Sequence, residues 1–381
     1  MKLKLLIVGP FRPLMTGEAL AVQILAEAPE LHNIFEVKLL DRTTQAMSFS
    51  GALLRTAKIF AQYLYFLLIF RPDVVYLSVG QKIRGILRDG FLIRLADILN
   101  INTIGHLHGG ALRKRYEKAQ GLIRWVLRKC HSKLSVGIVL GRSLMDQFEG
   151  ILPTDRVRVV HNAPWDLAIE QGENSSKKLA KEEPLRILFF SNVLPEKGYF
   201  DVLASLDILK AKGVPFKFTF AGRYLAADGH SPSELREKAI YFIVKNKIEP
   251  WVEEVGFVQG ICKWELLRSA HVFILPTYYY EGQPISMIEV LHAGCVIVCT
   301  NRGGIPDVVD EGIGGWFVSV GSPAAIAERL EWIWKHPEWF ESASKHNIEK
   351  ARMEFSVEQY VSKLVKIFLE VCENEANPPK L

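Results

Sequence analysis

HVFILPTYYYEGQPISMIEVLHAGCVIVCTNRGGIPD, residues 271–307, holds two apolar runs with a helix-length segment between them. HVFIL (271–275) and CVIVCT (295–300) are short and almost continuously apolar, which suits strands of a parallel sheet covered on both faces. EGQP (281–284) introduces the intervening helix, and Gly294 terminates it. Pro284 suits the first helical turn, where its missing N–H is no loss. The amides of Ile285 and Ser286 are then free, and unpaired donors at the positive end of a helix macrodipole make a ready anion site. Glu289 lies one turn beyond Ile285 on the same face. Two carboxylates, Glu281 before the helix and Glu289 within it, therefore flank the anion site, an arrangement that can hold hydroxyl groups on either side of a diphosphate.

The same alternation extends in both directions. RILFF (186–190) and FKFTFAG (216–222) read as strands upstream, with helical stretches between. In the first half LKLLIV (3–8), VVYL (74–77), NTIGHL (102–107), SVGIVL (135–140) and VRVV (157–160) read likewise, separated by helices such as 17–28 and 122–130. Strand-then-helix repetition predicts doubly wound α/β sheets. Residues 166–184 break the pattern with a polar, charged connection. The expected organisation is a first domain over 1–165, a linker over 166–184, a second domain over 185–355, and a closing helix and tail over 356–381. Two such domains in tandem leave a cleft at the carboxyl ends of their strands, where ligands of these sheets bind.

The 381 residues are ample for two cores. With 49% hydrophobic and 23% charged residues, the balance is that of a globular enzyme and excludes a disordered chain. The N-terminal apolar run is too short for a signal peptide and suits a buried first strand. IFAQYLYFLLIF (59–70), closed by Arg71-Pro72, falls short of the ~20 residues that span a bilayer and reads as a buried or interfacial helix. Five cysteines without CxxC pairs suggest neither a disulfide framework nor a zinc site, and a reducing cytoplasm is the simplest home.

Net charge is +5, unevenly placed: residues 1–165 carry +11 and residues 166–381 carry −6. Clusters at Arg84, Arg88 and Arg94, and from Arg113 to Lys129, supply much of the excess. They read equally as solvated helix faces or as a surface for an anionic partner. No nucleic-acid-binding motif accompanies them.

The EGxPxxxxE frame, with Glu281 and Glu289 in E-x7-E spacing within a strand–loop–helix context, resembles glycosyltransferase family 4. That resemblance implies the GT-B fold, two Rossmann-like domains facing across a cleft. It implies that Glu281 faces the donor sugar and Glu289 binds the ribose hydroxyls, with Gly282, Ile285 and Ser286 around the diphosphate. SNVLPEKG (191–198) is similar to the family's phosphate loop, so Lys197 is expected to grip the diphosphate. The family often has an arginine where this chain has Asn192, which can donate a hydrogen bond to the donor but brings no charge, so the clamp is either weaker or completed by Arg302 or Arg223. GPFRPLMTGEAL (9–20) resembles the family's glycine loop, with Gly17 where a backbone approaches the donor. In HLHGG (106–110), His108 matches a histidine that faces the reacting sugar or acceptor; a structural histidine bonded to backbone is the plainer reading. His106 and His108 lack an evident third metal ligand. Phe257-Val258 resembles the segment against which the nucleobase packs, and GGIPD (303–307) a loop beside the site.

The resemblance implies a retaining glycosyltransferase using a nucleotide-sugar donor, UDP-sugar favoured and GDP-sugar possible. No D-x-D triplet occurs to hold a cation, so no metal or other cofactor is expected. The acceptor is a saccharide or a lipid-linked molecule, in cell-surface polysaccharide or glycolipid synthesis. A basic first domain with an apolar helical stretch suits an anionic membrane face, giving a cytoplasmic location peripheral at the inner membrane. A nucleotide-sugar 2-epimerase, a phosphorylase of the same architecture and a non-catalytic sugar-nucleotide-binding protein are the alternatives.

Overall fold

A computed structural model of the chain describes residues 2–11, 16–43, 49–164 and 175–376. Residues 166–174 of the expected linker and 377–381 of the expected tail lie outside them. The chain divides into two compact units, one of Met1–Trp165 with Val357–Leu381, the other of Asp166–Ser356.

The first unit is built on six strands: β1 (Leu3–Gly9), β2 (Phe35–Asp41), β3 (Val74–Val79), β4 (Asn102–Leu107), β5 (Val136–Val139) and β6 (Val157–Val159). All pair in parallel, in the order β2-β1-β3-β4-β5-β6. Side chains alternate between the faces of a strand. Leu5, Ile7, Val74 and Tyr76 therefore join one core, and Leu6, Val8, Val75 and Leu77 the other. Helix α1 (Gly17–Glu27) and the short α2 (Pro29–Ile34) pack on the first face. On the second face lie α3 (Phe49–Tyr65), α4 (Ile83–Ile98) and, after the short α5 (Leu112–Lys118), α6 (Gly121–Lys129).

The apolar stretch 59–70 occupies the second half of α3 and a π-helical turn, Phe66–Phe70, that ends where Arg71 adopts a left-handed conformation (φ 52°). Ile59, Tyr63, Leu67 and Phe70 recur at helical spacing and are buried against the sheet. No helix among the described residues is long and apolar enough to cross a membrane. The C-terminal helix Val357–Ala376 belongs to the first unit. Its Tyr360, Leu364 and Phe368 fill the first face, and the Tyr360 hydroxyl donates to the Ala21 carbonyl at 3.1 Å.

The second unit repeats the scheme with β7 (Leu185–Phe190), β8 (Phe216–Ala221), β9 (Val252–Gly256), β10 (Val272–Leu275), β11 (Val296–Cys299) and β12 (Gly315–Phe317). The order β12-β11-β10-β7-β8-β9 is the dinucleotide-fold order 3-2-1-4-5-6 read from the opposite edge. Its helices are α7 (Tyr199–Ala211), α8 (Pro232–Lys245), α9 (Gly260–Ser269), α10 (Ile285–His292), α11 (Pro323–Lys335) and α12 (Pro337–Glu354). Helix α10 is buried almost all round. Its Met287, Ile288, Val290 and Leu291 are fully buried, each contributing roughly 1.5–3 kcal/mol if transferred wholly from water.

Three strands lacked the apolar signature in the sequence: β2, β9 and β12. Each is an edge strand with solvated positions, unlike the wholly buried β3, β10 and β11. All five cysteines are unpaired.

Candidate functional site

In the second sheet β7 and β10 are neighbours, and the chain order reverses between them. Open α/β sheets bind ligands beyond the carboxyl ends of the strands at such a switch point. The loops that leave these two strands are joined here by hydrogen bonds. The Glu196 carbonyl accepts from the Tyr278 amide at 2.7 Å and from the Thr277 hydroxyl at 3.1 Å. Gly198 ends the short 3-10 turn Pro195–Lys197 with φ 77°, and a Cβ there would lie 2.3 Å from the Pro276 carbonyl oxygen. Only glycine allows this approach.

The outcome is that Lys197 and Glu281, 84 residues apart, form an ion pair in a part-buried setting. The Thr277 hydroxyl, 3.2 Å from the same Glu281 oxygen, shares its one proton between that carboxylate and the Glu196 carbonyl. A third loop, after β11, closes on the backbone of Glu281. The Gly304 amide donates to the Glu281 carbonyl at 3.1 Å, and Gly303 (φ 60°) packs so closely that a Cβ would stand 2.0 Å from that oxygen. Lys197, Glu281 and the GGIPD segment thus converge at one switch point.

Gly282 and Gln283 are buried just before α10. Pro284 is the N-cap rather than a residue of the first turn, and its carbonyl accepts from the Met287 amide at 3.0 Å. The amides of Ile285 and Ser286 precede the i→i−4 ladder, as the first amides of any helix do. The helix ends at Gly294 (φ 72°), whose follower Cys295 donates back to the Val290 carbonyl at 2.9 Å. Glu289 lies on α10 and is only 5% exposed. Its carboxylate meets the Lys263 ammonium of α9 at 2.9 Å, and Lys263 is 8% exposed.

At the carboxyl ends of β7 and β8, Asn192 accepts the Arg223 amide through its side-chain oxygen at 3.1 Å. The Arg223 guanidinium lies 4.2 Å from the centre of the Phe257 ring, which is exposed beyond β9. Val258 packs against the core beneath. Asn192 thus braces the loop that carries Arg223, and Arg223 covers the aromatic face. Arg302 lies over the Tyr280 ring and donates to its hydroxyl at 2.9 Å.

The first sheet has its own switch point, between β1 and β3. Gly17 begins α1 there, with the Thr16 side chain accepting the Ala19 amide at 3.3 Å. The next residue, Glu18, is acidic at the positive end of the helix. Its carboxylate is held by the Arg42 guanidinium and by the Ser78 hydroxyl near the end of β3. Arg42 is buried and continues to Asp89 at 3.5 Å, which also accepts the Gly80 amide and Arg88 Nε, each at 2.8 Å. Burial pushes the Asp89 carboxyl up, opposed by Arg42 and the Gly80 amide.

His108 follows β4, with the His106 ring 4.0 Å from it between centres and tilted by 32°. The Tyr76 hydroxyl bridges the two histidines, at 2.7 Å from His106 Nδ1 and 3.5 Å from His108 Nε2. Burial pushes His108 down to about 4, with the Glu18 charge opposing. Burial and His108 carry His106 well below the usual range. Both rings are therefore neutral near pH 7 and can exchange hydrogen bonds without carrying charge. Among the described residues no group of three or more His, Cys, Asp and Glu side chains is arranged to hold a metal ion.

Residues 170–353 match the family model for glycosyl transferases group 1. The match falls wholly within the second unit. The chain is 29% identical over 152 residues to a putative colanic acid biosynthesis glycosyltransferase of Salmonella typhimurium, a stretch covering 39% of this chain and 35% of that protein. It is 28% identical over 156 residues to the amylovoran biosynthesis glycosyltransferase of Erwinia amylovora, covering 40% and 36%. The matched stretch thus spans about a third of each relative's length. The crystal structure of Anabaena HepE in complex with UDP-glucose superposes with a TM-score of 0.72 over 96% of this chain and 99% of that one, at 14% identity. The likeness shows the GT-B class of fold, with two Rossmann-like domains.

Lys263, Thr277 and the Glu18–Arg42–Asp89 chain escaped the sequence reading. Glu18 directly follows Gly17, and an acid in the first turn of a helix was a usable signal. Lys263 had none: it sits 26 residues before its partner, in a helix without a motif.

Proposed function

We propose that the chain is a retaining glycosyltransferase that moves a sugar from a nucleoside diphosphate to a saccharide or lipid-linked acceptor, in building a cell-surface polysaccharide. The observation that carries this reading is the convergence of Lys197 and Glu281 at the switch point of the second sheet, beside the start of α10. The Lys197 ammonium has three donors, so it can keep Glu281 in place while offering protons to a diphosphate. The amides of Ile285 and Ser286 and the helix dipole add fixed positive character where the leaving group becomes negative. Glu281 accepts hydroxyls of the donor sugar. Glu289, oriented by Lys263, accepts those of the ribose. The base stacks at Phe257, and Arg223 supplies the cation that Asn192 lacks. In the first unit, neutral His108 and the Glu18 carboxylate receive hydroxyls of the reacting partners.

Loss of the diphosphate from the same face that the acceptor attacks gives retention, with a phosphate oxygen taking the acceptor proton; trapping a covalent glycosyl-enzyme would overturn this step. UDP is the favoured carrier, a choice supported by the fold shared with HepE, which was crystallised with UDP-glucose. The polysaccharide role is supported by the names of the two relatives. A charge of +11 on residues 1–165 supports an anionic membrane as the place of work.

The test is a thermal-shift screen over UDP-, GDP- and ADP-sugars, followed by product analysis with and without acceptor. Stabilisation by one nucleotide series and acceptor-dependent release of nucleoside diphosphate are expected. Donor interconversion without acceptor would make the protein an epimerase, and a requirement for inorganic phosphate would make it a phosphorylase. Positive charge from Lys197, the amides and Arg223 makes transfer persist in EDTA; complete loss restored by Mg²⁺ would refute metal independence.

A further inference from the structure

Helices α3, α4 and α6 cover the same face of the first sheet and lie side by side. The Phe60 and Phe91 rings meet edge-on at 6.4 Å between α3 and α4. Gly90 of α4 approaches α6 so closely that a Cβ would fall 2.2 Å from Val126 Cγ1. Their inner faces are ordinary core: Ile59 and Tyr63, Ile86 and Leu92, Val126 and Leu127 are buried.

Their outer faces are unusual. Tyr65, Phe91, Ile98, Leu122 and Trp125 are each more than half exposed. Among them stand the exposed cations Lys58, Arg84, Arg94, Arg124, Arg128 and Lys129. Acids are nearly absent. Residues 49–70 and 118–145 contain no Asp or Glu. Of the two in α4, Asp89 is fully buried and Asp97 is paired with Arg94 and Lys133.

A water-facing helix layer ordinarily mixes both signs of charge and keeps large apolar tips inside. A nucleic-acid surface would use the cations but has no need of Ile98, Leu122 and Trp125 in contact with water. Apolar and aromatic tips interleaved with Lys and Arg suit the boundary of an anionic bilayer. There the tips enter the headgroup layer and the cations meet lipid phosphates. Trp125 and Tyr65 combine an apolar ring with a polar handle, which suits that depth.

We propose that the outer faces of α3, α4 and α6 form a docking surface for an anionic phospholipid bilayer. The proposal deepens the membrane-facing reading above and rests on it, naming the surface and the lipid chemistry. It is independent of how the second unit binds its donor.

The test uses the full chain and vesicles of phosphatidylcholine, alone or mixed with phosphatidylglycerol, in co-sedimentation at low and high salt. Three proteins are compared: wild type, Arg128→Glu/Lys129→Glu, and Phe91→Glu/Trp125→Glu. Thermal shift with UDP-glucose serves in each as a check that the second unit is intact. Wild type is expected to sediment with the mixed vesicles, to prefer them over neutral ones, and to be released by salt. Each cation near the surface contributes about fivefold, so the first variant should bind about 25-fold more weakly or worse. The second variant removes two apolar tips and adds two negative charges to the face, and should lose at least as much.

Equal binding of wild type to both vesicle types, or unchanged binding by both variants, overturns the proposal. So does a wild-type dimer that Phe91→Glu/Trp125→Glu converts to a monomer without any vesicle binding, since a second copy would then occupy the face. Absence of every nucleotide shift with vesicle binding intact would fault the donor reading and leave this surface standing.

Discussion

Lys263→Met separates two roles that Glu289 plays in the proposed site. Both side chains of the pair are less than a tenth exposed, and their charged atoms meet at 2.9 Å. Removing one partner of a buried pair leaves the other charge desolvated without its counter-ion, at a cost of about 3–5 kcal/mol. For a domain of 150–250 residues each kcal/mol moves the melting midpoint by about 2–4 °C. The second unit should therefore melt roughly 6–20 °C lower in Lys263→Met. Replacing both residues, Lys263→Met with Glu289→Met, removes both desolvated charges and should restore most of that loss.

Donor binding should follow the opposite order. Lys263→Met keeps the carboxylate and should retain weakened stabilisation by the nucleotide. The double variant has no carboxylate for the ribose and should show none. Thermal and urea melts of the three proteins, each with and without the preferred nucleotide, complete the cycle. A cost below about 1 kcal/mol for Lys263→Met would put the pair in the class of solvated surface bridges. A double variant that binds nucleotide like wild type would remove Glu289 from the donor site.

Three further outcomes are expected. Glu281→Ala should abolish transfer while leaving the melting midpoint within a few degrees, and Lys197→Ala should weaken nucleotide stabilisation; wild-type kinetics in both would show the switch-point site to be misassigned. Gly303→Ala places a Cβ 2.0 Å from the Glu281 carbonyl in a left-handed conformation that itself costs about 1–2 kcal/mol, so turnover should fall at least tenfold; undiminished turnover would show that Glu281 needs no support from this loop. His108, His271 and His292 have folded-state pKa values of about 4, about 3 and about 4, below the unfolded value. The unfolded chain therefore binds more protons, and stability should decline as pH falls from about 6.5 towards 4. A pH-independent melting midpoint across that window would contradict the buried neutral rings.

The strands buried on both sides were legible from composition alone. Such strands are apolar throughout, as β10 and β11 are and as β3 is but for the buried Ser78, and no solvated position interrupts the run. The edge strands β2 and β9 were not legible, because an edge keeps polar side chains in water, as Glu36 and Glu253 do, and β12, only three residues long, makes no run to read. Likewise 281–289 could be read locally: a proline near a helix start, a glycine after its end, and two acids eight residues apart are all near neighbours in sequence.

What the sequence by itself determined was therefore everything of short range. That covers two runs of α/β alternation, the helix that begins at Pro284, the two acids on either side of its start and the charge imbalance between the halves. Only the tertiary structure decided which distant groups complete the chemistry. Glu281 gains Lys197 because β7 and β10 are adjacent in the sheet, and Glu289 gains Lys263 because α9 packs beside α10. Glu18 is tied to Arg42 and Asp89 by the order of strands in the first sheet. The physical reason is that helix periodicity and capping act over a few residues and leave a pattern in the chain. A salt bridge depends on which elements become neighbours, and sheet order sets that without marking the residues that will meet.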